Sequence, residues 1–455
     1  MMNAIEYFNA NKHSYLSELF EFLQIPSISN ESEYNNETKR CSEWLASNLK
    51  KIGMPKVEIF PTAGHPIVYA ENLEAGKDKP TVLIYGHYDV QPVDPLDLWT
   101  TDPFKPEIRN GKIYARGSSD DKGQIFMHVK AAQSYIKSGQ KLPVNLKFLI
   151  EGEEEAGSNH LDEFIINNKE LLDCDTVLIS DTEWFADGVP SLCYSLRGLT
   201  FVEITVTGPN RDLHSGTFGG AVDNPIMVLS KMIASLRDDW GRITIPGFYD
   251  NVLELEKDER DNFGKLPFDY RDWCNDLEVK EGYGELGYTT LERTWARPTL
   301  DINGIYGGYI GDGAKTVLPS KATAKISMRL VPNQMPEEIA EKIKEHLFRI
   351  APPTVKLEFK NLHGGNPVIV QRDGKAIKSA MNALYKTYNK EAVFMREGGS
   401  IPIVDTFSQA LNSPVVLMGF GLPGDNIHSP NESFAVDNFY GGIETSIHFL
   451  EEFSK

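Results

Sequence analysis

Between residues 56 and 179, short apolar runs alternate with stretches of helical periodicity, and this alternation constrains the fold more tightly than any other feature of the chain. The runs at Lys56–Phe60, 67–71, 81–85, 144–150 and Thr176–Ile179 are rich in apolar and β-branched residues and read as strands. Helical spacing precedes them. Tyr15, Leu16, Leu19, Phe20, Phe22 and Leu23 recur every three to four residues, as do Cys41, Trp44, Leu45, Leu49 and Ile52. Ile25-Pro26-Ser27 separates the two helical segments and Gly53 ends the second. Further helices are expected over 124–136 and 161–171. Strands alternating with helices build a largely parallel sheet, because a parallel pair needs a crossover long enough to hold a helix. Ligands of such sheets bind beyond the carboxyl ends of the strands. Three strand ends here carry imidazole or acidic side chains: His87 and Asp89, Glu154 and Glu155, and Asp181.

At Leu196-Arg197-Gly198 the pattern changes. Phe201, Glu203, Thr205 and Thr207 alternate with Val202, Ile204 and Val206, the signature of a half-exposed antiparallel strand. A helix over 225–236, an aromatic but aperiodic stretch from Trp240 to Trp295, a strand over 322–330, a helix over 337–347 and a strand over 355–359 follow. After Gly364-Gly365-Asn366-Pro367 the first pattern resumes, with a helix at Lys375–Tyr388, a strand over 415–419 and a last helix over 437–453. The expected fold class is therefore α/β, a mixed, largely parallel sheet flanked by helices, with an inserted α+β domain. The boundaries fall at 1–195 and 367–455 for the first domain and 196–366 for the insert. A chain of 455 residues is long enough for two cores.

Composition narrows the function classes. A formal net charge of −19 argues against nucleic acid or an anionic membrane as partner, since phosphate binding needs clustered Lys and Arg. No apolar run approaches the roughly 18 residues of a membrane helix, and the first residues show no basic segment followed by an apolar core. A cytoplasmic location is the expectation. Cys41, Cys174, Cys193 and Cys274 form no C-x-x-C pair, so a metal site would be built from imidazoles and carboxylates.

Those are plentiful. An isolated His87-Tyr88-Asp89 is most often a solvated strand end, but period-two geometry puts His87 and Asp89 on one side of an extended segment. A carboxylate beside an imidazole is the usual means of fixing a metal-ligand tautomer. His87, Asp120, Glu154, Glu155, Asp181 and His428 together offer two imidazoles and four carboxylates, a donor set suited to Zn²⁺ or Mn²⁺. One carboxylate bridging two ions, each completed by one His and one further carboxylate, would give a two-metal site that activates water and polarises a carbonyl. One carboxylate is then left to act as the base.

Eight stretches, in order along the chain, carry a resemblance to the carnosinase-type dipeptidases of the dinuclear metallopeptidase family that also includes aminoacylases. They are Gly86-His87-Tyr88-Asp89-Val90-Gln91-Pro92, Ser119-Asp120-Asp121-Lys122-Gly123, residues 151–158, Ser180-Asp181, Asp212-Leu213-His214-Ser215-Gly216, Met328-Arg329-Leu330-Val331-Pro332, residues 396–402 and His428-Ser429. The resemblance implies hydrolysis of dipeptides with a free C-terminal carboxylate, using two divalent ions per subunit, Zn²⁺ first and Mn²⁺ as the alternative. It implies that Asp120 bridges the ions, with His87 and Asp181 completing one and Glu155 and His428 the other. Asp89 would orient His87, and Glu154 would be general base and then acid, leaving Glu153 as the extra glutamate of the run. The Asp120–Asp121 peptide would be cis. Substrate contacts would come from His214, Thr316, Arg329 and Ser400. The insert would be a lid and dimerisation domain, and in the homodimer His214 would reach the partner's active site to stabilise the oxyanion. Arg329 would grip the terminal carboxylate. A deacylase of N-acyl amino acids would use the same chemistry and is the alternative; a non-catalytic binding protein is the third reading, and the intact ligand set argues against it.

Overall fold

The computed structural model describes residues 2–399, 401 and 403–455 and divides into two compact units. The first comprises the chain up to Tyr194 with Val370–Met395 and Ile403–Lys455; the second comprises Ser195–Ile369 with a short return at 396–399.

In the first unit the strands lie in the order Lys56–Phe60, Ile67–Asn72, Asn145–Glu151, Thr81–His87, Thr176–Ile179, Val415–Leu417 and Ser191–Leu196. The middle four run parallel. Antiparallel pairs flank them on both sides, so the sheet is mixed with a parallel centre, as the alternation predicts. Asn145–Glu151 and Thr176–Ile179 are buried at every position, the mark of strands covered on both faces. Among the covering helices, Ala4–Leu23 starts on a capping box between Asn3 and Glu6. Asn35–Ile52 ends at Gly53 in the left-handed region (φ 104°). Lys122–Ser138 and Val436–Phe453 bring Phe126, Met127, Val129, Ile443 and Ile447 into the same core as Val82, Ile84 and Phe148. The helix expected over 161–171 is broken at Asn168 into Leu161–Asn167 and Lys169–Leu172.

Two features of this unit position the strand ends. Gly86 has no room for a side chain: a Cβ there would lie 2.5 Å from Asp121 Oδ2 and 2.8 Å from Ile125 Cδ1. Its absence lets the helix after Asp121 press against the end of the Thr81–His87 strand. A small sheet of Glu107–Arg109, Lys112–Tyr114 and Ser433–Ala435 joins the segment leading into Asp120 to the segment following His428.

The second unit is an antiparallel sheet in the order Thr299–Gly307, Lys321–Leu330, Gly198–Thr207, Lys356–Gly365. Gly198–Thr207 alternates between buried and half-buried at every step, as the sequence alternation demands. Helices Pro225–Ala234 and Pro336–Ile350 cover one face, packing Leu229, Met232, Ile339 and Ile343 onto Val202, Ile204, Ile326 and Met328. Within the aperiodic stretch lie three short helices, Lys257–Phe263, Tyr270–Asp276 and Thr290–Trp295. Thr299–Gly307 is an edge strand carrying exposed Ile302, Ile305 and Tyr306. No helix among the described residues is long and apolar enough to cross a membrane.

Candidate metal centre

Thr81–His87 delivers His87, fully buried, to the end of the parallel sheet. Two residues on, Asp89 is equally buried. His87 Nδ1 lies 3.1 Å from the Asp89 main-chain oxygen and 3.3 Å from its Oδ1. That fixes the ring and leaves Nε2 free to face inward. The Asp89 carboxylate also accepts the main-chain N–H groups of Glu154 (3.3 Å) and Glu155 (3.1 Å). One side chain thus fixes both the imidazole and the turn that carries the two glutamates.

Asp120 lies at the centre of the cluster. Its Oδ1 is 3.1 Å from His87 Nε2, and its Oδ2 is 2.9 Å from His428 Nε2. Asp181 Oδ2 comes within 4.0 Å of His87 Nε2, and Glu155 Oε2 within 3.3 Å of His428 Nε2. Two donor groups result, His87–Asp120–Asp181 and Asp120–Glu155–His428, each with ligand atoms no more than 4.8 Å apart. The peptide between Asp120 and Asp121 is cis, and Asp121 Oδ2 accepts the His87 N–H at 3.0 Å. His428 adopts φ 60°, a left-handed conformation that a non-glycine residue takes at a cost and that clusters at functional sites. Its side chain is 54% exposed, whereas those of Asp120 and Glu155 are 12% and 3% exposed. Glu153, the third glutamate of the run, turns away to His160 Nδ1 at 2.8 Å.

The electrostatics of this cluster call for positive charge. Burial, with the neighbouring Glu155, Asp120 and Asp89 adding to it, pushes Glu154 well above the ordinary carboxylate range. Burial and the charges of Asp120 and Asp121 do the same to Asp181, and burial with Asp120 raises Glu155. Burial opposes a charge on His87, yet hydrogen bonds to Asp120 and Asp89 outweigh it and hold its pKa well up. Hydrogen bonds to Asp120 and Glu155 lift His428 to about 10. Burial also opposes ionising Asp120, but the two imidazoles bring its pKa below the usual value. Among the described residues none of Asp89, Asp120, Glu154, Glu155 and Asp181 pairs with a Lys or Arg. Nitrogen and oxygen donors 2.9–4.0 Å apart suit an ion with bonds of about 2.0–2.2 Å. The residues present therefore fit two divalent cations sharing Asp120.

The remaining residues singled out by the sequence lie in the second unit. His214 pairs with Val317 in a two-residue ladder, and the Thr316 carbonyl accepts the Ser215 N–H at 3.0 Å, so His214 and Thr316 are neighbours. Both are exposed. Arg329 sits in the Lys321–Leu330 strand opposite Leu199 and Thr299, half-buried, and burial lowers its pKa. Ser400 lies outside the described residues. Sequence reasoning missed Arg197, which burial and the charge of Arg329 bring down to about 10; its Nε and main-chain N–H donate to the carbonyls of Gly398 and Gly399. It also missed Gln91, whose amide donates to Glu155 Oε2 at 2.6 Å, and Glu432, four positions after His428. The only sequence signal for Glu432 was an acidic residue close behind a candidate ligand histidine.

Known proteins resemble the chain along nearly its whole length. Residues 83–452 match peptidase family M20/M25/M40. The Cys-Gly metallodipeptidase dug1 of Schizosaccharomyces pombe is 35% identical, with 98% of this chain and 97% of that protein covered. The Beta-Ala-His dipeptidase of Homo sapiens is 31% identical, with 99% and 92% covered. The solved structure of the di-peptidase Dug1p from Saccharomyces cerevisiae superposes with a TM-score of 0.84 at 31% identity, with 99% of this chain and 98% of that chain covered.

Proposed function

The chain belongs to peptidase family M20/M25/M40, and from that premise we propose that it is a metal-dependent dipeptidase in which His87, Asp120, Asp181, Glu155 and His428 hold two divalent ions. The observation that carries this reading is that Asp120 offers one carboxylate oxygen to each of two otherwise separate donor groups. Bound there, the two ions would lower the pKa of a water and polarise the scissile carbonyl. Glu154 would serve as general base toward the attacking water and then as general acid toward the leaving amine. Asp89 keeps His87 in the tautomer that presents Nε2 and holds the turn bearing Glu154 in place. Arg329 is suited to a substrate's terminal carboxylate. Thr316 and Ser400 supply further substrate contacts, and His214 of one subunit stabilises the oxyanion in the site of the other.

Nitrogen and oxygen donors without a thiolate support Zn²⁺, with Mn²⁺ as the alternative. The insert is a lid and dimerisation domain, a reading supported by the exposed edge strand Thr299–Gly307, which is the kind of surface a second copy covers. Among the described residues Cys41, Cys174, Cys193 and Cys274 form no disulfide, which supports a reducing, cytoplasmic location. The deacylase alternative draws no support from the relatives, which are dipeptidases by name.

Chelation should abolish hydrolysis of a Cys-Gly and a β-Ala-His probe, and Zn²⁺ or Mn²⁺ should restore it. Turnover that survives complete metal removal, or acetylated amino acids cleaved faster than both dipeptides, overturns the proposal.

A further inference from the structure

We propose that Glu432 is the positioning residue for Asp120: a buried carboxylate that grips the backbone of the 116–120 turn and thereby sets where the shared metal ligand points. The inference rests on the reading of Asp120 as the bridge. Glu432 is fully buried. Its Oε1 accepts the main-chain N–H groups of Ser119 (2.9 Å) and of Asp120 itself (3.1 Å). Its Oε2 accepts the Gly117 N–H (3.0 Å) and Arg116 Nη1 (2.8 Å). A carboxylate has about four acceptor sites, and four protein donors face them here. Glu432 has therefore no capacity left for an ion or a substrate, which makes it a support and not a ligand.

Its place in the chain gives that support its purpose. Glu432 lies four residues beyond His428, and its own carbonyl accepts the Ala115 N–H at 3.2 Å. Side chain and backbone of one residue thus tie the segment bearing His428 to the turn bearing Asp120. Asp425 repeats the tie more weakly, through Ser119 Oγ at 3.4 Å and Lys112 Nζ at 3.0 Å. Because Asp120 faces His87 with one oxygen and His428 with the other, a shift of its backbone disturbs both donor groups at once. Metal sites tolerate displacements of only about 0.2 Å in their ligand distances.

Glu432→Asp keeps the charge opposite Arg116 but withdraws the carboxylate by one methylene from the three N–H groups. Arg116→Lys removes the guanidinium and leaves those three bonds in place. Dissociation constants for Zn²⁺ and Mn²⁺, measured on the full chain by competition with a chromophoric chelator, should rise about 10–100-fold for both equivalents in Glu432→Asp and stay near wild type in Arg116→Lys. Unchanged affinity in folded Glu432→Asp, or an equal loss in Arg116→Lys, overturns the inference. Asp120→Asn tests the underlying reading separately: if it binds both metals as wild type does, Asp120 is not the bridge. Should Glu432→Asp fail to fold, amide exchange in the metal-free wild-type chain decides instead. The Ser119 and Asp120 amides should be protected; rapid exchange there overturns the proposal.

Discussion

Replacing Asp89 by Asn removes one charge and almost no volume from a fully buried position, so it leaves the packing in place and changes the charge and the hydrogen bonding of the cluster. The carboxylate faces three donors: His87 Nδ1 at 3.3 Å, the Glu154 N–H at 3.3 Å and the Glu155 N–H at 3.1 Å. An asparagine has one acceptor oxygen, and its NH₂ must replace one of the two carboxylate oxygens. If the NH₂ takes the place of Oδ1, it confronts the Glu154 N–H and His87 Nδ1, whose proton the Asp89 main-chain oxygen also accepts at 3.1 Å; either the ring moves that proton to Nε2, the atom turned toward Asp120, or N–H groups face each other unpaired. If the NH₂ faces Glu155, two N–H groups confront each other in a buried place, which costs about 1–3 kcal/mol. At 1.4 kcal/mol per decade, that is about 5–150-fold in metal affinity, overlapping the 10–100-fold typical for losing a partner of a ligand histidine. Chelator competition with Zn²⁺ and Mn²⁺ on wild type and Asp89→Asn measures the difference. An unchanged affinity in the folded variant would refute the tautomer argument and the role given to Asp89.

Glu154→Ala should keep two metal equivalents by elemental analysis while losing about 10²–10⁴-fold in kcat, whereas Glu155→Ala should lose metal; the reverse pattern would exchange their roles. His214→Ala and Glu154→Ala are each expected to be inactive, but mixed and re-equilibrated they should recover about a quarter of wild-type activity. One site in each hybrid dimer then has both residues intact, if the dimer is a symmetric pair that exchanges His214; no recovery sinks the partner role of His214. Burial, with the charge of Asp89, raises Glu151 to about 8. It is protonated in both states below its unfolded value, so stability is full there and is lost as pH rises toward 8 while only the unfolded chain releases the proton. The loss is roughly 3–5 kcal/mol. Glu151→Gln keeps an acceptor for the Tyr85 and Ser158 hydroxyls and should flatten that slope in urea unfolding of the metal-free protein between pH 5 and 8. Equal slopes in both proteins would contradict it.

The parallel centre was legible because its strands are continuous apolar runs with helical stretches between them, and Gly198–Thr207 was legible because its alternation maps onto alternate burial. The strand Thr299–Gly307 was not, since an edge strand with exposed Ile302, Ile305 and Tyr306 has no inside–outside alternation to read. The helices Lys257–Phe263 and Thr290–Trp295 are too short for a readable apolar stripe; one buried aromatic from each, Phe263 edge-on to Trp295 at 5.1 Å, and the ion pairs of Arg260 with Glu292 and of buried Arg396 with Glu259 hold them. At the site, His87, Asp120, Glu155, Asp181 and His428 stood out chemically at strand and loop ends, and the fold brings their donor atoms together. Of their supports, Asp89 was legible two residues after His87, whereas Glu432 was not. Glu432 works through main-chain N–H groups of a turn 312 to 315 positions earlier, and no local pattern encodes a partner at that distance.

Metal binding and folding are coupled here by the same groups. A carboxylate cluster without Lys or Arg is stable in a folded chain only if something positive is shared among its members, and protons and divalent ions compete for that place. The raised values of Glu154, Asp181, His87 and His428 describe protons filling it. Ions that displace them must find the ligands deprotonated, so affinity falls as pH falls. Because the unfolded chain scatters its ligands over more than 300 positions, from His87 to His428, the ions bind the native state alone. They stabilise it by about 2.7 kcal/mol per site at a hundredfold excess over the dissociation constant. The buried supports, Asp89 under His87 and Glu432 under Asp120, act at the junction of the two effects. Each fixes a candidate ligand through hydrogen bonds from the protein itself, so losing either support disturbs the donor set and the local fold together.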